Sequence, residues 1–250
     1  MSAKANQRNK RIKQIIELID LTNLDENCDQ AAIERLCAQS ITPIGSVAAV
    51  CIWPEFIKDA KQHLGATSAI NIATVINFPG GSESLLVCTA QIENAIGDGA
   101  TEIDYVMPYK QLLIGQISEV ELALKSARAC VPAGIHLKVI LETGELKTAQ
   151  NIKMASELAI DCGADFIKTS TGKVETNATP EAAAIMLDVI AKKDRNIGFK
   201  PAGGIRTVND AETYLKLAED KLGGDWLNSA HFRFGASGLL QDALSLVEPT

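Results

Sequence analysis

Short apolar runs almost free of polar alternation recur along this chain, and longer amphipathic stretches separate them. Runs of this kind occupy Asp20–Leu24, Ser46–Trp53, Asn71–Asn77, Glu102–Met107, His136–Glu142, Asp165–Ser170, Ile197–Pro201 and Arg233–Ala236. Strands rich in Val and Ile without alternation are covered on both faces, as parallel strands are. Helical patterns fill the gaps. Leu85–Ile96 has near-helical apolar spacing and ends at Gly97, and Thr148–Cys162 ends at Gly163. Thr179-Pro180-Glu181 is a helix start with proline at the first helical position, and Thr207–Leu222 follows the same plan. Strand–helix alternation with no break in composition predicts βα units in one domain spanning residues 1–250. Eight strands over 250 residues suit a closed (β/α)8 barrel better than an open doubly wound sheet, with an extra helical segment at the N-terminus.

Composition narrows the partners. Hydrophobic residues at 46% and charged residues at 22% are ordinary for a globular protein, and this length can bury a large core without staples. A net charge of -7 argues against nucleic acid, because there is no phosphate-neutralising excess. The six cysteines (28, 37, 51, 88, 130 and 162) form no Cys-x-x-Cys pair, and none of the three histidines (63, 136 and 231) stands at metal-ligand spacing from one. A zinc site is therefore not expected, and reduced thiols point to a cytoplasmic setting. The basic N-terminus (Lys4, Arg8, Lys10, Arg11, Lys13) is followed by Glu17 and Asp20, so no signal-peptide core forms. No apolar run approaches the ~20 residues of a membrane span.

Three lysines sit inside the apolar runs: Lys138 in His-Leu-Lys-Val-Ile-Leu, Lys168 in Phe-Ile-Lys-Thr-Ser and Lys200 in Gly-Phe-Lys-Pro-Ala. A single lysine so placed is better read as facing outward or paired with a carboxylate. Three of them on the fifth, sixth and seventh strands, near the C-terminal mouth where barrel active sites lie, favour function. An amine attacks a carbonyl only when neutral. A second ammonium about 6 Å away, at an effective dielectric of about 20, opposes protonation by ~2–3 kcal/mol. A cationic neighbour is thus a route to Schiff-base chemistry. Asp104 in Glu-Ile-Asp-Tyr-Val could move protons; spacing alone leaves it equally readable as a salt-bridge partner of Lys138 or Lys200.

Two small-residue turns follow the seventh and eighth strands: Pro201-Ala202-Gly203-Gly204-Ile205-Arg206 and Phe234-Gly235-Ala236-Ser237-Gly238. Barrel loops at these ordinal positions commonly hold phosphate, and glycines let backbone N–H groups approach it. Thr171-Gly172-Lys173 after the sixth strand adds donors and a cation. The expected ligand is a small phosphorylated molecule with a reactive carbonyl.

From about Asp20 to Leu244 the chain resembles the deoxyribose-phosphate aldolase family. The resemblance is carried by Leu-Ile-Asp-Leu-Thr (18–22), Ala-Ala-Val-Cys-Ile-Trp-Pro (48–54), Ile-Ala-Thr-Val-Ile-Asn-Phe-Pro (72–79), Glu-Ile-Asp-Tyr-Val (102–106) and Leu-Lys-Val-Ile-Leu-Glu-Thr-Gly-Glu-Leu (137–146). Ala-Asp-Phe-Ile-Lys-Thr-Ser-Thr-Gly (164–172), Gly-Phe-Lys-Pro-Ala-Gly-Gly-Ile-Arg (198–206) and Arg-Phe-Gly-Ala-Ser (233–237) complete it. It implies reversible cleavage of 2-deoxy-D-ribose 5-phosphate to acetaldehyde and D-glyceraldehyde 3-phosphate without metal or cofactor, in deoxyribonucleoside catabolism. It also implies that Lys168 is the Schiff-base lysine, that Lys200 keeps it deprotonated and that Asp104 relays protons. Gly172, Lys173, Gly203, Gly204, Gly235 and Ser237 match the phosphate grip. Asp20, Thr22, Cys51, Lys138 and Thr169 match the substrate pocket, although Cys51 reads more simply as a small buried hydrophobe.

Two departures stand out. Gly238 occupies a position where some members carry a second serine. The sequence closes Leu246-Val247-Glu248-Pro249-Thr250, without the longer tyrosine-ending tail of some relatives. Where that tail assists proton transfer at C2, its absence is expected to slow the step or to leave water to perform it. Other readings are a Schiff-base barrel aldolase for a different phosphosugar, a non-catalytic phosphosugar-binding protein, and a barrel isomerase. The expected partners are small phosphorylated sugars and aldehydes, with no nucleic acid and no membrane. The oligomeric state is open, with a homodimer as one candidate.

Overall fold

The computed structural model describes residues 3–248. The tail positions Pro249 and Thr250 lie outside the described residues. Eight parallel strands wind in sequence order: β1 (Ile19–Asn23), β2 (Ala49–Ile52), β3 (Asn71–Ile76), β4 (Glu102–Val106), β5 (His136–Ile140), β6 (Phe166–Lys168), β7 (Gly198–Lys200) and β8 (Phe234–Ala236). Each pairs with the next from β1 to β7, and β8 returns to β1 with Asp20 opposite Gly235. The ring closes between β7 and β8 through parallel bridges Phe199 to Phe232 and Ala202 to Gly235. Helices lie between the strands, as the alternating pattern predicts, making this a TIM barrel.

Strand and helix ends differ from the sequence reading for local reasons. The run from Ser46 splits: Gly45–Ser46 pairs antiparallel with Ile41–Thr42 in a small hairpin, so β2 starts only at Ala49. β7 stops at Lys200 because Pro201 has no N–H to give the ladder. The helix Leu85–Asp98 runs past Gly97 and ends at Gly99, whose φ of 116° and N–H bonds to Ala95 and Ile96 carbonyls close the last turn. The helices Ala149–Asp161, Pro180–Lys193 and Val208–Leu222 begin at side-chain caps from Thr148, Thr179 and Thr207, the last in a capping box with Asp210.

The N-terminal helix Ala3–Glu17 buries Ile12, Ile15 and Ile16. Arg11 ties it to the helix Val208–Leu222 through Glu212 and Glu219, at 2.9 and 2.7 Å. No helix among the described residues is long and apolar enough to cross a membrane.

Inside the barrel the lining divides. Ala49 and Cys51 of β2 and Ala73 and Val75 of β3 form an apolar wall with Leu24. The other strands line the interior with charge. Low in the barrel, Phe166 fills the space that a side chain on Gly198 would need: a Cβ there would lie 2.2 Å from the ring. The Arg233 guanidinium sits over the same ring, 5.7 Å from its centroid.

Candidate active site

In a strand, residues i and i+2 share a face, and that periodicity assembles the site. On β4 it turns both Glu102 and Asp104 inward, and on β5, β6 and β7 it does the same for Lys138, Lys168 and Lys200. Register sets the heights: Asp104 lies opposite Lys138, and Lys168 lies opposite Lys200 at the C-terminal ends of their strands.

These side chains form one ionic network. Lys168 Nζ donates to Asp104 Oδ2 at 2.7 Å. Lys200 Nζ donates to that same oxygen at 2.7 Å and to Asp20 Oδ2 at 2.5 Å. The Lys168 and Lys200 nitrogens are therefore no farther apart than twice the first distance, close enough for the mutual repulsion expected of the pair. Lys138 Nζ reaches Glu102 Oε2 at 2.6 Å and Asp104 Oδ1 at 2.9 Å, with Asp20 Oδ2 at 3.6 Å. Beneath them Arg233 bridges Asp20 Oδ1 at 2.7 Å and Glu102 Oε1 at 2.8 Å. Four cations face three carboxylates. The side chains of Lys138, Lys200, Asp20, Glu102 and Asp104 are wholly buried, while Lys168 retains 3% exposure.

Burial alone would drive all of these groups neutral, so the pairing decides their state. Desolvation works against the Asp104 carboxylate, but Lys138, Lys168 and Lys200 hold it well below the usual range. Asp20 and Glu102 are held low against the same penalty, chiefly by Lys200 and Lys138 respectively. Burial also opposes the Lys200 charge, yet Asp104 and Asp20 more than offset it and hold the ammonium above its ordinary range. Lys138 is held charged in the same way by Asp104, Glu102 and Asp20. Lys200 thus stands as a fixed cation beside Lys168.

The other candidate residues divide. Cys51 belongs to the apolar wall; burial pushes its thiol up, with Lys200 the largest opposing influence. Thr22 and Thr169 use their hydroxyls on backbone, donating to the carbonyls of Asp20 and Ala202 respectively. The Thr169 hydroxyl also accepts the Ala202 N–H at 2.9 Å, tying the loop after β6 to the loop after β7. Gly203 has φ 86°, and a Cβ there would strike Asn177 at 2.6 Å. A Cβ on Gly235 would meet Ala202 at 2.7 Å and Lys200 Cε at 3.1 Å, so this glycine lets β8 approach the lysine. The loops holding Gly172, Gly203, Gly204 and Gly235 are consequently neighbours over the mouth. Lys173 Nζ donates to the Leu24 carbonyl beyond β1 at 2.7 Å. Ser237 is exposed and lines a groove with Leu21, Gln39 and Leu240, apart from the ionic network.

Three buried charged residues were absent from the sequence candidates. Glu102 and Arg233 complete the network, and each stands two residues before an interior position, Asp104 and Gly235, which is the signal that could have found them. Glu142, just beyond β5, is fully buried with φ 59°. Its Oε2 accepts the Thr171 hydroxyl at 2.6 Å and its Oε1 the Thr171 N–H at 3.2 Å. Burial pushes this carboxyl up, opposed first by the Thr171 donors and then by Lys168.

The arrangement sets the Lys168 amine beside a fixed ammonium and a shared carboxylate, with glycine-containing turns above. Comparison with known proteins places the whole chain among aldolases. A deoxyribose-phosphate aldolase from Agrobacterium fabrum (strain C58 / ATCC 33970) is 51% identical over 228 residues, covering 91% of this chain and 88% of that protein. The crystal structure of a Coccidioides immitis protein, provisionally described as a deoxyribose-phosphate aldolase, has a TM-score of 0.82 at 29% identity over 94% of this chain and 86% of its own. At fold level, the deoxyribose phosphate aldolase from Aeropyrum pernix, described as a unique tetramer, has a TM-score of 0.74 at 22% identity, covering 98% of each chain. The family model described as DeoC/LacD family aldolase matches residues 14–241, and the chain belongs to that family.

Proposed function

We propose that this protein catalyses reversible retro-aldol cleavage of 2-deoxy-D-ribose 5-phosphate to acetaldehyde and D-glyceraldehyde 3-phosphate through a Schiff base on Lys168. The observation carrying the assignment of the nucleophile is the sharing of Asp104 Oδ2 by Lys168 and Lys200. With every group ionised the network has one cation too many, and Lys168 has the fewest ionic contacts to lose. A neutral Lys168 leaves three cations balancing three carboxylates. It is also the one of the three lysines whose side chain keeps any exposure, 3%.

Neutral Lys168 attacks C1 of the open-chain sugar, and loss of water from the carbinolamine leaves an iminium. The C3 hydroxyl gives up its proton, the C2–C3 bond breaks, and its electron pair moves to the iminium nitrogen, forming an enamine. Glyceraldehyde 3-phosphate leaves. Protonation of the enamine at C2 and hydrolysis then release acetaldehyde and restore the amine. Asp104 and Lys200, through water, handle the protons. Lys138 and Asp20 hold this pair from below, and Cys51 lines the facing wall. The turns containing Gly172, Lys173, Gly203 and Gly204, with Gly235 of β8 beside them, hold the phosphate and so place the reacting carbons over Lys168. A cytoplasmic location fits six unpaired thiols.

Borohydride reduction in the presence of 2-deoxyribose 5-phosphate, followed by peptide mass mapping, tests the assignment. The expected result is a reduced adduct on the peptide containing Lys168. An adduct on Lys138 or Lys200 instead, or none at all, overturns it.

A further inference from the structure

The buried acid beside the site has no part in the chemistry above. Glu142 occupies the left-handed region, uncommon for a residue with a side chain, at the mouth end of β5. Its carboxylate takes two hydrogen bonds from one residue, Thr171, through N–H and hydroxyl. The Thr171 hydroxyl in turn accepts the N–H of Lys173 at 3.0 Å, so a single chain of bonds runs from Glu142 through the turn carrying Gly172. A second contact fastens the same two loops. Gly144, two residues after Glu142, lies so close to the Thr176 carbonyl that a Cβ would come within 1.9 Å of its oxygen. The turn after β5 is thus the bed on which residues 171–177 rest. Around that bed Thr143 Oγ1, Ser170 Oγ and Asn177 Oδ1 are buried with no protein partner.

We infer that Glu142 is a positioning residue for substrate phosphate: it holds Thr171 and so presents the Gly172 and Lys173 backbone to the anion. The inference rests on the phosphate-binding reading of this turn. Glu142 itself would not touch the phosphate, since a carboxylate would repel it. Its role is to satisfy, from below, the donors that would otherwise collapse the turn into the mouth.

The measurement compares kcat and KM for 2-deoxyribose 5-phosphate and for unphosphorylated 2-deoxyribose. In Glu142→Gln only one oxygen can accept, so the Thr171 N–H and hydroxyl can no longer both donate to residue 142, and the hydroxyl must turn to accept from the amide. KM for the phosphorylated sugar is expected to rise about tenfold, and the preference for it over the unphosphorylated sugar to fall by the same factor. Thr171→Val should reproduce this shift, Thr171→Ser should restore the preference, and the Glu142→Gln/Thr171→Val pair should be no worse than either alone. Equal losses on both sugars, an unchanged KM, or identical behaviour of Thr171→Ser and Thr171→Val overturns the inference. The Thr171 pair decides the matter should Glu142→Gln fail to fold. A native enzyme that cleaves both sugars equally well removes the phosphate reading itself, an outcome visible before any variant is made.

Discussion

Arg233 and Glu102 allow the ionic network to be tested as a unit. Replacing Arg233 with Met removes the guanidinium that bridges Asp20 at 2.7 Å and Glu102 at 2.8 Å, and leaves a side chain that can still pack on Phe166. Removing one member of a buried ion pair costs about 3–5 kcal/mol, because the partner keeps its desolvation penalty. At this chain length that corresponds to a fall of roughly 6–20 °C in Tm. Glu102→Gln alone removes the negative charge that Lys138 meets at 2.6 Å and Arg233 at 2.8 Å, leaving Asp20 as the one ionic partner of Arg233. Made together, the two substitutions remove one cation and one anion that face each other. The double variant should therefore be less damaged than the sum of the singles, by ~1–3 kcal/mol. Urea denaturation of the four proteins, followed by circular dichroism, supplies the cycle. Additivity within about 0.5 kcal/mol would mean that the two groups act independently, and the single-network description would be wrong.

Acid should weaken the fold through the same residues. Asp20, Glu102 and Asp104 are all held below their ordinary range in the folded protein, so the unfolded chain takes up protons first. Their contribution is complete above about pH 5, begins to fall as unfolded carboxylates protonate near pH 4, and is lost as pH drops through the folded values. Tm measured from pH 7 to 3 should decline, less steeply in Glu102→Gln, and a flat profile contradicts the reading. Gly198→Ala should cost about 1–3 kcal/mol by forcing Phe166 aside, with Phe166→Leu recovering part of it; equal urea midpoints for native protein and Gly198→Ala would refute the close packing. Burial pushes the Cys37 thiol up to about 11, and Cys51 is raised and fully buried. A thiol reagent at pH 8 should modify Cys28 and Cys130 first and reach Cys51 only after unfolding, as mass mapping can check.

The barrel and the candidate lysines inside it were legible in the sequence because both depend on short-range regularities. Apolar runs without alternation mark doubly covered strands, and a lysine inside such a run stands out against them. Lys138, Lys168, Lys200 and Asp104 could be picked out for that reason. What could not be read was the pairing between strands. Glu102 and Arg233 look like ordinary charges at strand edges until the register brings them 2.8 Å apart across 131 residues of chain. Thr22 and Thr169, which the resemblance places in the pocket, give their hydroxyl protons to nearby carbonyls, a use no sequence pattern announces. Glu142 was invisible for another reason. Its backbone is left-handed and its partner sits on a different loop, so neither periodicity nor spacing announces it.

The Phe166 ring beneath Arg233, filling the space that Gly198 leaves, gives the barrel a floor. Substrate is left with the opposite mouth, where Lys168 keeps its 3% exposure. The floor stops a sugar but not a proton, because Glu102 Oε1 lies 3.4 Å from His136, a ring 42% exposed at that end. Protons and substrate thus have different doors.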